Sequence, residues 1–463
     1  MSATLHAREL GAEVTLVEAE QIGGTSFNKG PAPVRTLARA ARLVRDSGSW
    51  GRFGLRGEPP RVDVPEMLAN ADRVARHAHE HKRMGDSLRV QGVEVVDEAG
   101  AARFIDAHTV RIPDGRAFQG EAVIMAVGGR PGRLPIPGAE LALTYNDIRT
   151  LSALPGSVAI IGGADTGCQL ASILADFGVR VTVVEASPRL VARADEDVSS
   201  GLADVFERRG ISVLFETFAD SIEQQPTGVA LNVRSGDKTS RVEADAVFFA
   251  AGWPSNADTL DAEAAGVSIE RGYVKVGDDL RTAVSHIFAA GDINGLSMLV
   301  PSAWHEGRIA SENAVLGTRR RFTHDIVPTG SYTDPEYGGV GLTEAEAREK
   351  YDCAVAVIRY QDMLRPVADG RPEGFCKLIV ESRRRYVLGA HVLGEYSAEV
   401  LQTAATCIAA NLRVEQIAEM QFAFPTFTEA IGLAAQAIVR DLGIAPLPPS
   451  WSDLRPLHDH ANR

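Results

Sequence analysis

The residues best suited to chemistry are three closely spaced glycines and a later carboxylate. In VAIIGGADTGCQLASILADFGVRVTVVEAS, Gly162, Gly163 and Gly167 follow an apolar run rich in β-branched residues, and Glu185 ends a second such run. Glycines in this pattern let a backbone turn tightly beside a pyrophosphate, and an acid about 20 residues later accepts hydrogen bonds from ribose hydroxyls. Ala164 stands where a middle glycine is common, and a single methyl is tolerable there. The stretch predicts a dinucleotide-binding βαβ unit.

Glu185 also bears on which dinucleotide binds. A carboxylate repels the 2′-phosphate that distinguishes NADP from NAD, so the sequence favours NADH over NADPH. Arg189 follows closely and could instead pair with such a phosphate. Both cofactors stay open at this point, with NAD favoured.

An earlier acid, Glu18, ends a similar but incomplete pattern. The start of the chain predicts a helix ending at Gly11 and a strand from Glu13 to Val17. In a nucleotide-binding unit the glycine loop precedes the acid by about 20 residues, a position that here falls before Met1. We therefore expect the first strand and its phosphate loop to lie upstream of Met1. The alternative is an ordinary amphipathic helix that leads into a strand.

Overall composition argues against several classes of function. The 463 residues exceed what one hydrophobic core usually serves, so several domains are expected. The formal net charge of -13, without a lysine- or arginine-dense run, argues against a nucleic-acid partner. No apolar run reaches the ~18 residues of a membrane span, and the N-terminal residues do not have a signal-peptide pattern, so we expect a cytoplasmic protein.

The cysteines and the C-terminal histidines do not indicate a metal site. Cys168, Cys353, Cys376 and Cys407 are scattered without C-x-x-C spacing, which is typical of buried thiols in a reducing compartment. Residues 446–463 are proline-rich without apolar periodicity and are expected to form an extended or disordered tail. We interpret the histidines of this tail, His458 and His460, as solvated side chains.

Five further motifs follow one another along the chain. They are IMAVGGRPGRLPIPG, FFAAGWPSNADTL, HIFAAGDINGLSMLVPSAWHEGRIASENA, GSYTDPEYGGVGLTEAEA and LGAHVLGEYSAEVLQ. Together with the two nucleotide-binding patterns, they resemble the pyridine nucleotide-disulfide oxidoreductases, the family of dihydrolipoamide dehydrogenase, glutathione reductase and mercuric reductase. The resemblance runs from about residue 2 to about residue 440, and five motifs in the right order make coincidence implausible.

The resemblance implies an α/β fold and a homodimeric flavoprotein. Two Rossmann-like domains would bind FAD and NAD, and a C-terminal α+β domain would form the dimer. The expected boundaries are 1–148 and 269–322 for the two parts of the FAD domain, 149–268 for the NAD domain, 323–445 for the dimerisation domain and 446–463 for the tail.

The resemblance also assigns cofactor-binding residues. Those for FAD are Glu18, Gly23, Gly24, Thr25, Gly128, Gly291 and Asp292, and those for NAD are Gly162, Gly163, Gly167, Glu185 and Gly252. Asp292 is expected to bind a ribityl hydroxyl of the flavin. Trp253 stands where the family usually has an arginine.

The segment GGTSFNKGPAPVR departs from the family at the positions of its redox chemistry. Disulfide-reducing members pass electrons from the flavin to two cysteines, and a histidine steadied by a glutamate protonates the outgoing thiol. The matching residues here are Ser26 and Pro31 for the cysteines and Phe424 for the histidine, whereas Glu429 is retained. Serine and proline cannot take up electrons and phenylalanine cannot relay a proton, so disulfide reduction through this site is excluded.

A charged pair of the family is also replaced. Arg35 matches a lysine near flavin N5, and Gln169 matches the glutamate partner of that lysine. The replacement would leave one positive charge near the flavin ring and favour its reduced anionic form. The alternative is that Arg35 pairs with a carboxylate elsewhere or extends into solvent.

These features predict an FAD-dependent oxidoreductase that passes electrons from NADH directly to a small non-disulfide acceptor such as a quinone. Pro31, Phe422, Phe424 and Phe427 are expected to give the exit an apolar face. One alternative is a flavoprotein that binds FAD and NAD as a sensor or scaffold without useful turnover. Mercuric reductase or dihydrolipoamide dehydrogenase activity is a weaker alternative, because both loop thiols are missing.

Overall fold

The computed structural model describes residues 1–324 and 326–444. These residues form two compact units. The first comprises residues 1–188 and 206–324, and the second comprises residues 189–205 together with the described residues after 325. The predicted tail, with His458 and His460, lies outside the described residues.

The N-terminal part of the first unit is mainly helical. Its helices are α1 (Ser2–Glu9), α2 (Gly24–Asn28), α3 (Pro31–Ser47), α4 (Val64–Lys82) and α5 (Met84–Val90). Its strands are β1 (Thr15–Val17), β2 (Glu94–Val96), β3 (Arg103–Phe104), β4 (Thr109–Arg111), β5 (Ala117–Gln119) and β6 (Val123–Met125). Strand β1 pairs in parallel with β2, and β3, β4 and β5 form an antiparallel sheet. The predicted helix and strand before Glu18 are both present.

A parallel sheet follows in the middle of the chain. Its elements are β7 (Leu143–Thr144), β8 (Ser157–Ile161), α6 (Asp165–Asp176), β9 (Arg180–Val184), α7 (Glu196–Arg208), β10 (Ser212–Leu214), β11 (Phe218–Gln224), β12 (Val229–Ser235), β13 (Lys238–Ala244) and β14 (Ala246–Phe249). Five strands pair in parallel in the order β10-β9-β8-β14-β7, and β11, β12 and β13 form an antiparallel sheet. The apolar strands β8 and β9 are mostly buried, as expected of a sheet covered on both faces. The predicted βαβ unit is therefore confirmed.

The chain then returns to the N-terminal part of the first unit. The elements here are β15 (Ile269–Glu270), β16 (Tyr273–Val274), β17 (Ile287–Ala289) and α8 (Val300–Leu316). Strand β17 pairs in parallel with β6, and helix α8 packs on α1. Gly307 permits this close packing, since a side-chain carbon there would lie 3.0 Å from the backbone nitrogen of Ala3.

The second unit is an antiparallel sheet packed against helices. Its elements are β18 (Thr329–Ser331), β19 (Tyr337–Gly341), α9 (Glu344–Lys350), β20 (Cys353–Arg359), α10 (Leu364–Ala368), β21 (Phe375–Glu381), β22 (Val387–Leu393), α11 (Ser397–Ala409), α12 (Val414–Ala418) and α13 (Glu429–Asp441). The strand order is β18-β19-β22-β21-β20, and every pair is antiparallel. Apolar side chains of α11 and α13 pack on the sheet to form the core. The α/β class with a C-terminal α+β domain is thus confirmed.

Candidate active site

The turn after β8 is built around two glycines. Gly162 adopts φ +108°, and a side-chain carbon there would lie 2.6 Å from the carbonyl oxygen of Ala250. Gly167, near the start of α6, faces the carbonyl of Gly162 with no room for a side-chain carbon. Only glycine fits at both positions. The N-terminus of α6 is thereby brought close to β8, the arrangement that binds a pyrophosphate.

Glu185 is tied to this glycine turn. Its Oε2 accepts a hydrogen bond from the backbone N–H of Gly163, and its Oε1 accepts one from the N–H of Ser187 at 2.7 Å. The structure therefore brings together the glycines and the acid that the sequence assigned to one dinucleotide site. Ala164, at the N-cap of α6, is exposed, so its methyl group meets no obstacle.

Arg189 is engaged within its own loop. Its guanidinium donates to the carbonyl oxygens of Ala192 at 2.7 Å and Ala194 at 3.3 Å. These contacts use one donor on each terminal nitrogen. Three of its five N–H donors are not used by these two contacts, so Arg189 does not decide between the two cofactors.

Glu18 lies at the carboxyl end of β1. Its backbone N–H donates to the carbonyl of Val96 at 2.9 Å, and its Oε1 accepts from the N–H of Glu20 at 3.0 Å. Burial raises the pKa of the Glu18 carboxyl, and the hydrogen bond from Glu20 opposes that rise. A half-buried acid at the end of a parallel strand is well placed to accept hydrogen bonds from ribose hydroxyls.

The loop after Glu18 contains Ser26 and Pro31, which the sequence matched to the redox cysteines of the family. Gly23 and Gly24 have positive φ angles, +123° and +59°, and lead into α2. Ser26 lies within α2, where its Oγ donates to the carbonyl of Gly23 at 3.3 Å. Pro31 is the first residue of α3 and is exposed, while the carbonyl of Thr25 accepts the N–H of Gly30 at 2.6 Å. The fold of this loop is therefore held by backbone hydrogen bonds and a proline-initiated helix, without a disulfide.

Asp292 follows β17 and is half-buried. Its Oδ2 accepts a hydrogen bond from Nε1 of Trp253 at 2.8 Å. Burial raises the pKa of the Asp292 carboxyl, the indole hydrogen bond lowers it, and the nearby charge of Glu306 raises it further. The preceding residue, Gly291, has φ +81° and donates its N–H to Oε2 of Glu306 at 2.6 Å.

Two crossover segments meet beside Asp292. The N–H of Asn256 donates to the carbonyl of Gly128 at 2.9 Å, and the N–H of Gly132 donates to the carbonyl of Gly252 at 3.0 Å. Gly128 and Gly252 have positive φ angles, +68° and +94°, and a side-chain carbon at either would meet no atom within 4 Å. Both crossovers therefore present glycine backbone to open space, as the approach of a ligand requires.

Phe424 and Glu429, which the sequence matched to the family's proton relay, lie before and at the start of α13. The Phe424 side chain is 72% exposed. Oε2 of Glu429 accepts from the N–H of Thr426 at 3.3 Å, and Oγ1 of Thr426 accepts from the N–H of Glu429 at the same distance. This reciprocal pair joins the segment before α13 to Glu429, the first residue of that helix. One oxygen of the Glu429 carboxylate is therefore engaged by the backbone of its own segment.

Models of two protein families match consecutive parts of this chain. The pyridine nucleotide-disulphide oxidoreductase model matches residues 1–307, and the model of that family's dimerisation domain matches residues 327–435. The chain belongs to the pyridine nucleotide-disulphide oxidoreductase family. It is thus an FAD- and pyridine nucleotide-binding oxidoreductase with a C-terminal dimerisation domain.

Curated relatives and solved structures agree with this assignment. Glutathione reductase of Nostoc sp. is 30% identical, covering 88% of this chain and 91% of the relative, and mercuric reductase of Lysinibacillus sphaericus is 27% identical, covering 95% and 81%. The crystal structure of LpdA from Mycobacterium tuberculosis shares the fold, with TM-score 0.86 at 23% identity over 94% of this chain and 96% of that one. The HOCl-induced flavoprotein disulfide reductase RclA from Escherichia coli also shares the fold, with TM-score 0.81 at 24% identity over 94% and 97%.

The described residues fit the cofactors of the family. Glu18, Asp292 and the open backbone at Gly128 would hold FAD, which supplies two-electron exchange between a nicotinamide and an acceptor when bound. The glycine turn and Glu185 would hold the dinucleotide.

Across the described residues, no group of three or more histidine, cysteine or acidic side chains is arranged to hold a metal ion. No helix of the described chain has both the length and the apolar character needed to cross a membrane.

The thiols of this family member lie elsewhere. Cys168, Cys353, Cys376 and Cys407 are all free and buried. Burial raises the pKa of each thiol, to about 12 at Cys376. A buried thiol with a raised pKa is a poor nucleophile, so none of them is equipped to replace the missing redox pair.

Arg35 and Gln169 lie on helices that touch. Helix α3, which carries Arg35, packs against α6, which carries Gln169. Arg35 is exposed and has an interaction partner in the structure. A flavin-tuning role for this pair remains a proposal.

The predicted apolar exit face is only partly present. Phe427 is 4% exposed and packs edge-on against Tyr360 and Tyr396 in the core of the second unit. Its assignment to the exit face is wrong, because its ring is enclosed in the hydrophobic core of the second unit. Phe422 is half-buried and contacts Gly432. Phe424 is the aromatic residue of this segment that is open to solvent.

Sequence reasoning missed the second carboxylate behind the flavin site. Glu306 is 1% exposed, and besides Gly291 its Oε2 accepts from Nδ2 of Asn294 at 2.7 Å. Its Oε1 lies 3.0 Å from Nε2 of His324. The signal in the sequence is that Glu306 shares a helix face with Ile309 and Ala310, which are buried in α8, and an acid on such a face requires polar partners.

Proposed function

We propose that this protein is an NADH-dependent flavin oxidoreductase that passes two electrons from FAD directly to a small non-disulfide acceptor of the quinone class. The observation that carries the proposal is the chemistry of the loop at residues 23–35. Ser26 and Pro31 stand at the redox positions, and the four cysteines are buried elsewhere. Electrons that reach the flavin therefore have no thiol pair through which to leave.

The exposed residues at the substituted positions suit a flat, apolar acceptor. Pro31 and Phe424 are exposed apolar side chains that offer no proton and no charge. Reduction of a quinone takes two electrons and two protons. The reduced flavin supplies the electrons, and the flavin and water supply the protons, so no relay from the protein is needed. A disulfide, by contrast, requires a thiolate attack that neither residue provides.

Glu185 supports NADH as the donor. A carboxylate held by the N–H groups of Gly163 and Ser187 is fixed at the glycine turn and repels a 2′-phosphate. Arg189, a nearby residue that could bind such a phosphate, donates to carbonyls of its own loop.

We further propose a homodimer, supported by the dimerisation domain at residues 327–435. We also propose a cytoplasmic location, supported by the four free cysteines.

The test is a pair of anaerobic half-reactions on the flavin-loaded protein. Mixing with NADH should bleach the flavin absorbance, and adding a soluble quinone should restore it without a lag. Oxidised glutathione, oxidised lipoamide and Hg(II), added in place of the quinone, should restore it at less than about one hundredth of that rate. Rapid recovery with a disulfide would overturn the proposal, and failure of NADH to bleach the flavin would favour a sensor or scaffold instead.

A further inference from the structure

Trp253 is locked in place beside the flavin-binding carboxylate. Its indole Nε1 donates to Oδ2 of Asp292 at 2.8 Å. The ring stacks on Tyr145, with centroids 5.8 Å apart and planes 28° from parallel. On another side it lies against Gly129, where a side-chain carbon would be 2.5 Å from Nε1. The indole therefore has little freedom to turn away from Asp292.

The backbone around Trp253 is equally fixed. The carbonyl of Trp253 accepts from Oη of Tyr273 at 2.8 Å. The next residue, Pro254, accepts through its carbonyl the N–H of Arg130 at 2.9 Å. The Arg130 guanidinium in turn bonds both carboxylate oxygens of Asp258, at 2.8 and 2.7 Å. Trp253 is thus anchored in the ribbon made by the two crossovers.

The hydrogen bond from the Trp253 indole stabilises Asp292 in surroundings that disfavour its charge. The charged and titratable groups that face Asp292 are the carboxylate of Glu306 and the phenol of Tyr145, both acids. A neutral N–H donor stabilises the ionised carboxylate, which burial and Glu306 disfavour. The indole uses one acceptor site of Oδ2, so Oδ1 can accept a hydrogen bond from a ligand while the carboxylate is held.

We propose that Trp253 is a positioning residue for the flavin, which holds Asp292 so that its second carboxylate oxygen can accept a ribityl hydroxyl. In the family an arginine is usual at this position, and in this chain the indole N–H of Trp253 donates to Asp292. The inference rests on FAD binding and is independent of the electron acceptor. The alternative hypothesis is that the indole N–H blocks Asp292 and so weakens flavin binding.

The Trp253→Phe variant separates these two possibilities. Phenylalanine keeps an aromatic ring against Tyr145 and Gly129 but removes the N–H donor. We expect the Kd of the apoprotein for FAD, measured by flavin fluorescence quenching, to rise about tenfold. The control is Trp304→Phe, which removes a 51% exposed indole on α8 and should leave the Kd unchanged. Tighter binding or an unchanged Kd in Trp253→Phe would overturn the proposal.

A double-mutant cycle tests whether Trp253 acts through Asp292. In an Asp292→Asn background, Trp253→Phe should raise the Kd by less than about threefold, because the carboxylate it positions is gone. A full tenfold effect in that background would show that the indole contributes by packing alone, and would contradict the proposal.

The pH profile of FAD binding supplies a readout that packing does not change. Loss of the indole N–H raises the pKa of Asp292 further, so the carboxylate becomes protonated at a higher pH. On acidification from about pH 8 to about pH 5, affinity should begin to fall at a higher pH in Trp253→Phe than in the wild type or Trp304→Phe. Superimposed profiles would contradict the proposal. Because Kd is measured without an acceptor, a protein that turns over no quinone tests Trp253 equally well.

Discussion

Nζ of Lys377 lies 2.8 Å from Oδ1 of Asp195, and the two residues are only 2% and 1% exposed. The same ammonium contacts Asp197 Oδ2 at 2.7 Å and Glu344 Oε2 at 2.6 Å. The second oxygen of Asp195 accepts the N–H of Glu344 at 3.0 Å. Within the second unit, this cluster joins residues 189–205 to strand β21 and the start of α9.

We expect Lys377→Met to lower the free energy of unfolding by about 3–5 kcal/mol, because it leaves the buried carboxylate of Asp195 without its cation. The matched control is Lys275→Met. Lys275 contacts Glu270 at 2.7 Å, but both side chains are more than half exposed, at 64% and 58%, so its loss should cost less than about 1 kcal/mol. Chemical unfolding followed by circular dichroism measures both. Equal effects of the two substitutions would contradict a stabilising role for the buried cluster.

The stability contributed by this cluster should depend on pH. For Asp195 and Glu344, burial raises the pKa, but hydrogen bonds, including those from Lys377, outweigh burial and lower it. For Lys377, burial lowers the pKa, but its three carboxylate partners raise it above the ordinary value. An acid with a lowered pKa contributes stability above about pH 4, and this contribution is lost as the pH falls. A lysine with a raised pKa loses its contribution only when the pH rises through that raised value. The difference between wild type and Lys377→Met should therefore be largest between about pH 5 and pH 10 and shrink below about pH 4. A difference in unfolding free energy that does not shrink between about pH 6 and about pH 3 would contradict the assignment.

Cofactor preference should depend on Glu185. Wild-type protein should show a higher kcat/KM with NADH than with NADPH. In Glu185→Gln the preference should fall about tenfold or more, since the amide keeps a hydrogen-bonding group but loses the charge that repels a 2′-phosphate. Glu207→Gln, at an exposed position of α7, removes the same charge from the surface and serves as the control. A wild-type preference for NADPH would contradict the role of Glu185.

The dinucleotide turn could be predicted from the sequence because its geometry depends on residues that are close together in the chain. Gly162 and Gly167 are required because other backbone atoms approach them closely. Glu185 lies at the end of the next strand, at the distance that the length of one βαβ unit sets. The same local logic placed Glu18 at the end of β1 and Asp292 after β17. Each of these positions is determined by a few adjacent residues and by strand direction.

Contacts between side chains distant in the chain were not predictable. Lys377 and Asp195 are 182 positions apart, and Trp253 and Asp292 are 39 apart. Their pairing depends on how whole elements pack, which periodicity does not encode. Phe427 was misjudged for a similar reason, since its burial depends on packing against Tyr360 and Tyr396, which lie far from it in the chain.

Ser26 should take no part in electron transfer. Its Oγ donates to the carbonyl of Gly23 at 3.3 Å, a weak structural contact. We expect Ser26→Ala to change kcat with NADH and a soluble quinone by less than about twofold under anaerobic conditions. Asp292→Asn, assayed in parallel at limiting FAD, is the positive control for damage to the flavin site. A fall in kcat of about a hundredfold in Ser26→Ala, or about 2.7 kcal/mol of barrier, would mean that the hydroxyl takes part in the chemistry.

Restoring the family's redox groups should act cooperatively. Pro31 begins α3 and is exposed, so Pro31→Cys is tolerable in place, and Ser26→Cys supplies the second thiol on α2. The double variant should reduce oxidised lipoamide with NADH poorly, because Phe424 delivers no proton. Adding Phe424→His should raise that rate about tenfold or more, whereas Phe424→His alone should raise it less than about twofold.

The retained glutamate limits how far this restoration can go. Oε2 of Glu429 accepts from the N–H of Thr426, so a new histidine would share a carboxylate whose orientation is already set by the backbone. Phe424→Ala on the double-cysteine background is the control, since it opens the same space without supplying a base. Thiol titration before and after NADH addition measures whether the new cysteines form a disulfide that the flavin reduces. If the alanine and histidine variants gave equal lipoamide reduction, proton delivery would not be the missing step. In that case the difference from disulfide reductases would lie in the thiols alone, and Phe424 would serve only to shape the exit for an apolar acceptor.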